Sequence, residues 1–136
     1  MKLDHLGIAV RSVDEKLKFY RDVLGFTVSA AETVEAEKVR VAMLPMGESR
    51  IELLEPTAED SAIARFLEKR GEGLHHIALA VDDLDAQLKR LEEAGVKVLP
   101  GQGEYGAGGH RYAFLHPSSC GGVLIELVES MKQGSE

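Results

Sequence analysis

The sequence predicts an α+β chain made of two tandem βαβββ modules, and three observations carry that prediction. The chain matches itself at a fixed offset, both copies show the same succession of short apolar runs around one amphipathic stretch, and the segment joining them has a helical pattern of its own. DHLGIAVRSVDEKLK, from Asp4, lies over HHIALAVDDLDAQLK, from His75. His5 then meets His76, Val10 meets Val81, Asp14 meets Asp85 and Leu17 meets Leu88, each pair 71 residues apart. The same offset sets VRVAML (Val39 to Leu44) on HRYAFL (His110 to Leu115), matching Arg40 with Arg111. Past a three-residue insertion in the second copy, RIELLE from Arg50 lies on LIELVE from Leu124, and Glu52 falls on Glu126. Three blocks in one order amount to a duplication.

Each element follows from local pattern. Leu3 to Val10 and Leu74 to Val81 are rich in apolar and branched residues and predict the opening strands. Ser12 with Glu15 three residues on is a capping box, and Val13, Leu17, Tyr20 and Leu24 make one helical face that Gly25 closes. Leu84, Leu88 and Leu91 repeat that face, with Gly95 at its end. Strands are expected near Thr27 to Val34, Val39 to Pro45 and Arg50 to Leu54, and again near Val96 to Leu99, Arg111 to Leu115 and Val123 to Val128. The joining segment predicts a helix with Ile63, Phe66 and Leu67 inward and Gly71 after it. Repeat 1 thus takes about residues 1–56, the linker helix about 57–72 and repeat 2 about 73–130. A copy of about 65 residues has too small a core to stand alone, so the two are expected to form a single domain.

Composition narrows the function classes. The chain has 136 residues, 44% hydrophobic and 29% charged, the profile of a soluble globular domain. Sixteen Lys and Arg against 23 Asp and Glu leave a net charge of −7, which speaks against nucleic acid as a partner. The one cysteine, Cys120, allows no intrachain disulfide and fits a reducing compartment. The N-terminal stretch is charged and lacks a long apolar run, as expected of a cytoplasmic protein without a secretory leader or membrane span.

The repeat singles out four side chains, two per copy: His5 and Glu52, His76 and Glu126. Alternation along a strand puts His5 on one face with Gly7 and Ala9, and His76 with Ala78 and Ala80, so small neighbours leave a hollow beside each imidazole. Glu52 and Glu126 stand among apolar neighbours, where an unpaired carboxylate is costly and needs a cation or strong donors. Two neutral imidazoles and two carboxylates balance a divalent charge. Mixed nitrogen and oxygen donors suit six-coordinate Co2+, and also Ni2+, Mn2+, Zn2+ or Fe2+, with two positions left for a chelating substrate. His75 should face the other way. His116 opens a turn in FLHPSSCGG, and His110 follows the glycine run Gly101, Gly103, Gly106, Gly108 and Gly109. That run precedes no clear helix, so it is read as a loop over the site and not as a dinucleotide fingerprint. Cys120, beside Gly121 and Gly122, is expected to be inert.

With those residues in place, the chain resembles the vicinal oxygen chelate superfamily over nearly its whole length. DHLGIAV, IELLEP, SAIARFLEKRGEGLHHIALAVDD and FLHPSSCGGVLIEL bring it nearest to the methylmalonyl-CoA epimerases within that superfamily. The resemblance implies two βαβββ modules closing a curved sheet cup, one bound divalent metal, an acyl-CoA substrate and a homodimer. It implies interconversion of the 2R and 2S epimers by metal-assisted proton transfer at C2 through an enolate. Some members carry a glutamate base where this chain has Val41, and some a glutamine where it has Glu52. Glu52 and Glu126 are therefore expected to share the two base roles here. Arg111, Arg40 and Lys38 are candidates for the CoA phosphates. The alternatives are a glyoxalase I-like lactoylglutathione lyase, with the same ligands and enolate chemistry, and a metal-free binding or resistance module on the same scaffold.

Overall fold

The computed structural model describes residues 1–99, 104–105 and 109–130. The chain divides into two compact units, His5–His75 and Met1–Asp4 with His76–Glu136. The elements of the first βαβββ copy are β1 (Lys2–Ala9), α1 (Val13–Tyr20), β2 (Ala30–Val34), β3 (Val39–Met46) and β4 (Ser49–Pro56). α2 (Ala62–Arg70) leads into the second: β5 (Gly73–Val81), α3 (Leu84–Glu93), β6 (Glu104–Tyr105), β7 (Arg111–Leu115) and β8 (Ile125–Glu129).

Both copies pair their strands alike. β1 runs parallel to β4, and β3 lies antiparallel between β4 and β2. β5 runs parallel to β8, and β7 lies antiparallel between β8 and β6. The register repeats as well: Gly7 sits beside Glu52 and Glu52 beside Met43, as Ala78 sits beside Glu126 and Glu126 beside Phe114.

The helices form where their caps and apolar faces require. Ser12 Oγ accepts the Glu15 amide at 3.1 Å, while the Glu15 carboxylate takes Lys18 at 3.1 Å, so half of the expected capping box is made. Asp83 caps α3 and Ser61 caps α2 in the same way. Val13 and Leu17 are buried, as are Leu84 and Leu88, but Leu24 is 55% exposed, against expectation. The reason lies in the backbone. After Tyr20 the amides of Asp22 and Leu24 reach back five residues, to Leu17 and Phe19, and this wider turn rolls Leu24 off the buried stripe. Gly95 takes φ +86°, which lets the Val96 amide fold back onto the Leu91 carbonyl at 2.9 Å and ends α3.

One core lies between helix and sheet in each copy, and the two match position for position. Val10, Val13, Leu17, Ala42, Leu44 and Leu53 form the first, and Val81, Leu84, Leu88, Ala113, Leu115 and Leu127 the second. A polar clamp is duplicated beside them. Glu55 accepts the Val13 amide at 2.8 Å and pairs with Arg40, as Glu129 accepts the Leu84 amide at 3.0 Å and pairs with Arg111. Each carboxylate satisfies an amide that the first helical turn leaves open.

Some expected boundaries moved. Pairing in the first copy begins at Ala30 instead of Thr27. The strand expected at Val96 to Leu99 is a single bridge from Val98 to Leu115, flanked by backbone bonds from Leu99 and to Lys97. β6 was not expected. Gly101, Gly103, Gly106 and Gly108, read as a loop over the site, lie outside the described residues.

Candidate active site

Strand register builds a half-site in each copy. In the first, Ile8, Val10, Ala42, Leu44, Ile51 and Leu53 pack toward α1. Alternation turns His5, Gly7, Glu52 and Met43 to the opposite face. His5 Nδ1 lies 3.4 Å from Glu52 Oε2, and Gly7, the strand partner of Glu52, has no side chain to crowd the pair. In the second copy, Leu79, Val81, Ala113, Leu115, Ile125 and Leu127 face α3. His76 Nε2 lies 3.0 Å from Glu126 Oε1, with Ala78 as the small neighbour.

Among the described residues, burial sets these four apart from the other acidic and basic side chains. Among the described residues, the buried polar and charged ones are His5 (3% exposed), Glu52 (3%), His76 (5%), Glu126 (8%) and Ser61. Ser61 is accounted for as the cap of α2. An imidazole facing a carboxylate, both nearly removed from water, occurs once per copy. Buried ionisable groups need partners of comparable strength, and nitrogen plus oxygen donors in this ratio fit a divalent first-row cation. The donor chemistry therefore suits the metal that the sequence implies.

The surroundings of the two pairs differ. Arg50 donates to Glu52 Oε2 through Nε at 2.8 Å and Nη2 at 2.7 Å. Its counterpart in the second copy is Leu124, which has no donor. His76 instead meets the edge of Phe114 at 5.3 Å between ring centroids, and Phe114 in turn meets Tyr112. Comparing the repeats missed Arg50 because it selects what the copies share. The spacing of Arg50 and Glu52, two apart on one strand, was the available signal. Val41, 2% exposed, lies across from Glu32 and brings no acid or base to its position.

The remaining candidates have other partners. His75 packs edge-on against Phe66 at 5.0 Å. His110 Nδ1 lies 3.0 Å from the Glu129 carbonyl, and His116 Nδ1 caps a short turn by accepting the Ser118 amide. Arg111 donates to Asp85 at 2.8 Å, Arg40 pairs with Asp14 and Glu55, and Lys38 holds Asp60 at 2.5 Å. Register places Arg40 and Arg111 with Glu55 and Glu129 on the helix-facing side of their strands, away from the His–Glu pairs. Cys120 is half-buried beside the second core and forms no disulfide.

Known proteins share this fold widely. Residues 4–114 match the model of the Glyoxalase/Bleomycin resistance protein/Dioxygenase superfamily. An ethylmalonyl-CoA/methylmalonyl-CoA epimerase of Cereibacter sphaeroides is 41% identical over 130 residues, covering 94% of this chain and 97% of its own. The crystal structure of methylmalonyl-CoA epimerase from Mycobacterium tuberculosis superimposes with a TM-score of 0.91 at 41% identity, covering 96% of this chain and 89% of that one. A methylmalonyl-CoA epimerase in complex with methylmalonyl-CoA and NH4+ gives 0.91 at 45% identity, covering 95% and 94%. Two βαβββ copies, an equivalent buried His–Glu pair in each, and similarity over nearly full length lead to one conclusion: the chain belongs to the glyoxalase/dioxygenase superfamily and, within it, to the methylmalonyl-CoA epimerase family.

Proposed function

We propose that this chain interconverts (2R)- and (2S)-methylmalonyl-CoA by moving a proton at C2. The observation that carries the reading is the pair of buried His–Glu couples at equivalent register positions. His5, Glu52, His76 and Glu126 would together hold one divalent ion, with Co2+ the first choice. When bound, such an ion supplies electrostatic stabilisation for the negative charge that a thioester oxygen gains as C2 loses its proton.

The chain's own residues do the rest. Inversion at a planar carbon needs one group to take a proton from one face and another to return a proton on the opposite face. Glu52 and Glu126, one from each repeat, are assigned those two roles. The apolar residues around them, Met43 and Leu54 in one copy and Phe114 and Val128 in the other, keep bulk water from competing for the proton. Val41 leaves that duty with the two glutamates.

The test is C2 proton exchange of methylmalonyl-CoA in deuterated water, with and without chelator. Exchange that chelator abolishes and Co2+ restores supports the reading. Absence of exchange, with turnover of the glutathione hemithioacetal instead, replaces it by the lyase. The reading also includes a homodimer in the cytoplasm. Light scattering on the eluting protein tests the dimer. Among the described residues no helix is long and apolar enough to cross a membrane.

A further inference from the structure

We propose that Arg50 is a positioning residue that makes the two glutamates unequal, by gripping Glu52 through Oε2 and so fixing the orientation of its carboxylate beside His5. The proposal deepens the epimerase reading and rests on it.

The geometry is one-sided. Arg50 Nε at 2.8 Å and Nη2 at 2.7 Å both donate to Oε2, and His5 Nδ1 faces the same atom at 3.4 Å. The Glu52 side chain is 4% exposed and that of Arg50 is 23%, so these bonds are charge-assisted and poorly screened. A carboxylate otherwise turns readily about its last torsion and can offer a cation either one oxygen or both. Two donors on Oε2 remove that freedom and hold the carboxylate in one orientation beside His5. Two features suit Arg50 to the task. It is two residues from Glu52 on one strand and therefore on the same face, and its forked guanidinium fixes a direction that an ammonium would not. Leu124 gives Glu126 nothing equivalent from the matching position.

The test uses the full-length protein loaded with Co2+ and the variants Arg50→Leu, which copies the second repeat, and Arg50→Lys. Visible absorption of the bound Co2+ reports coordination, and kcat and KM are read separately for methylmalonyl-CoA. Arg50→Leu is expected to change the Co2+ spectrum and lower kcat about tenfold or more with KM within about twofold, since orientation and not binding is lost. Arg50→Lys should recover part of kcat. A wild-type spectrum and wild-type kcat in Arg50→Leu would overturn the proposal. Should Arg50→Leu not fold, Arg50→Lys decides: a lowered kcat at unchanged KM supports the assignment, and an unaltered kcat and spectrum overturns it. Wild-type protein that neither binds Co2+ nor exchanges the C2 proton points elsewhere, to failure of the epimerase reading itself.

Discussion

The two faces of the repeated sheet segments differ in how closely the copies agree. Toward the helices the match is close: six core positions correspond one for one, five of them with the same residue and one as Val13 against Leu84, and the Glu55 and Glu129 clamps bond equivalent amides. On the opposite face the His–Glu pair and the small residues after each histidine recur, Gly7 and Ala9 against Ala78 and Ala80. Around them Arg50 stands against Leu124 and Met43 against Phe114. Close packing explains the contrast. A core side chain touches many neighbours, so one change of volume strains them all. The residues beside a hollow have fewer such obligations and can diverge, so each half-site has its own electrostatic setting.

The largest effect expected from this contrast is catalytic. Glu52→Gln and Glu126→Gln should each lower epimerisation by about 10²- to 10⁴-fold, as for loss of a general base, while elemental analysis still finds metal. Full activity in Glu52→Gln would break the pairing of roles and move the second base to His110 or a bound water. Next come the matched cores. Leu53→Ala and Leu127→Ala should each cost about 2–5 kcal/mol in denaturant unfolding, with similar values if the copies are energetically equivalent. A large disparity would show that equal geometry hides unequal packing. The clamps should be worth less: Glu55→Ala and Glu129→Ala are each expected to cost about 1–2 kcal/mol, through one unpaired helix amide and a lost arginine partner.

The smallest effect concerns acid. The Arg11 amide, and then Lys16, hold the Glu72 carboxyl below its ordinary value of 4.5. A depressed folded-state pKa adds stability above the unfolded value, and that stability is lost as pH falls through the folded one. Melting temperatures should therefore drop on acidification below about pH 4.5, and Glu72→Gln should flatten that part of the profile. In the other unit Asp85, lowered by its bond to Arg111, should contribute in the same direction but weakly, since its side chain is 74% exposed. An equal flattening by Asp85→Asn would contradict that ranking.

Much of this was legible in the sequence because it is periodic. An offset of 71 residues revealed the duplication, alternation put His5 with Gly7 and His76 with Ala78, and the same four ionisable residues proved to be the buried ones. Arg40 and Arg111 were legible as a repeated pair but not in purpose. Their chain positions allow a phosphate contact as readily as a clamp on Glu55 and Glu129. Leu24 fits a buried helical face in the sequence, and only the widened turn after Tyr20 removes it.

By itself, then, the sequence determined the two copies, their element order, the core stripe of each helix and the four residues for which burial would be costly. Those features follow from spacing along the chain, where strand and helix periods act over a few residues. Tertiary structure alone decided that Glu52 shares its carboxylate with Arg50 and His5 while Glu126 faces His76 beside Phe114. It also decided that Arg40 and Arg111 serve the helix ends. Such choices depend on the register between strands distant in the chain, as when β1 meets β4, and on which of several donors within reach comes nearest once the strands have paired.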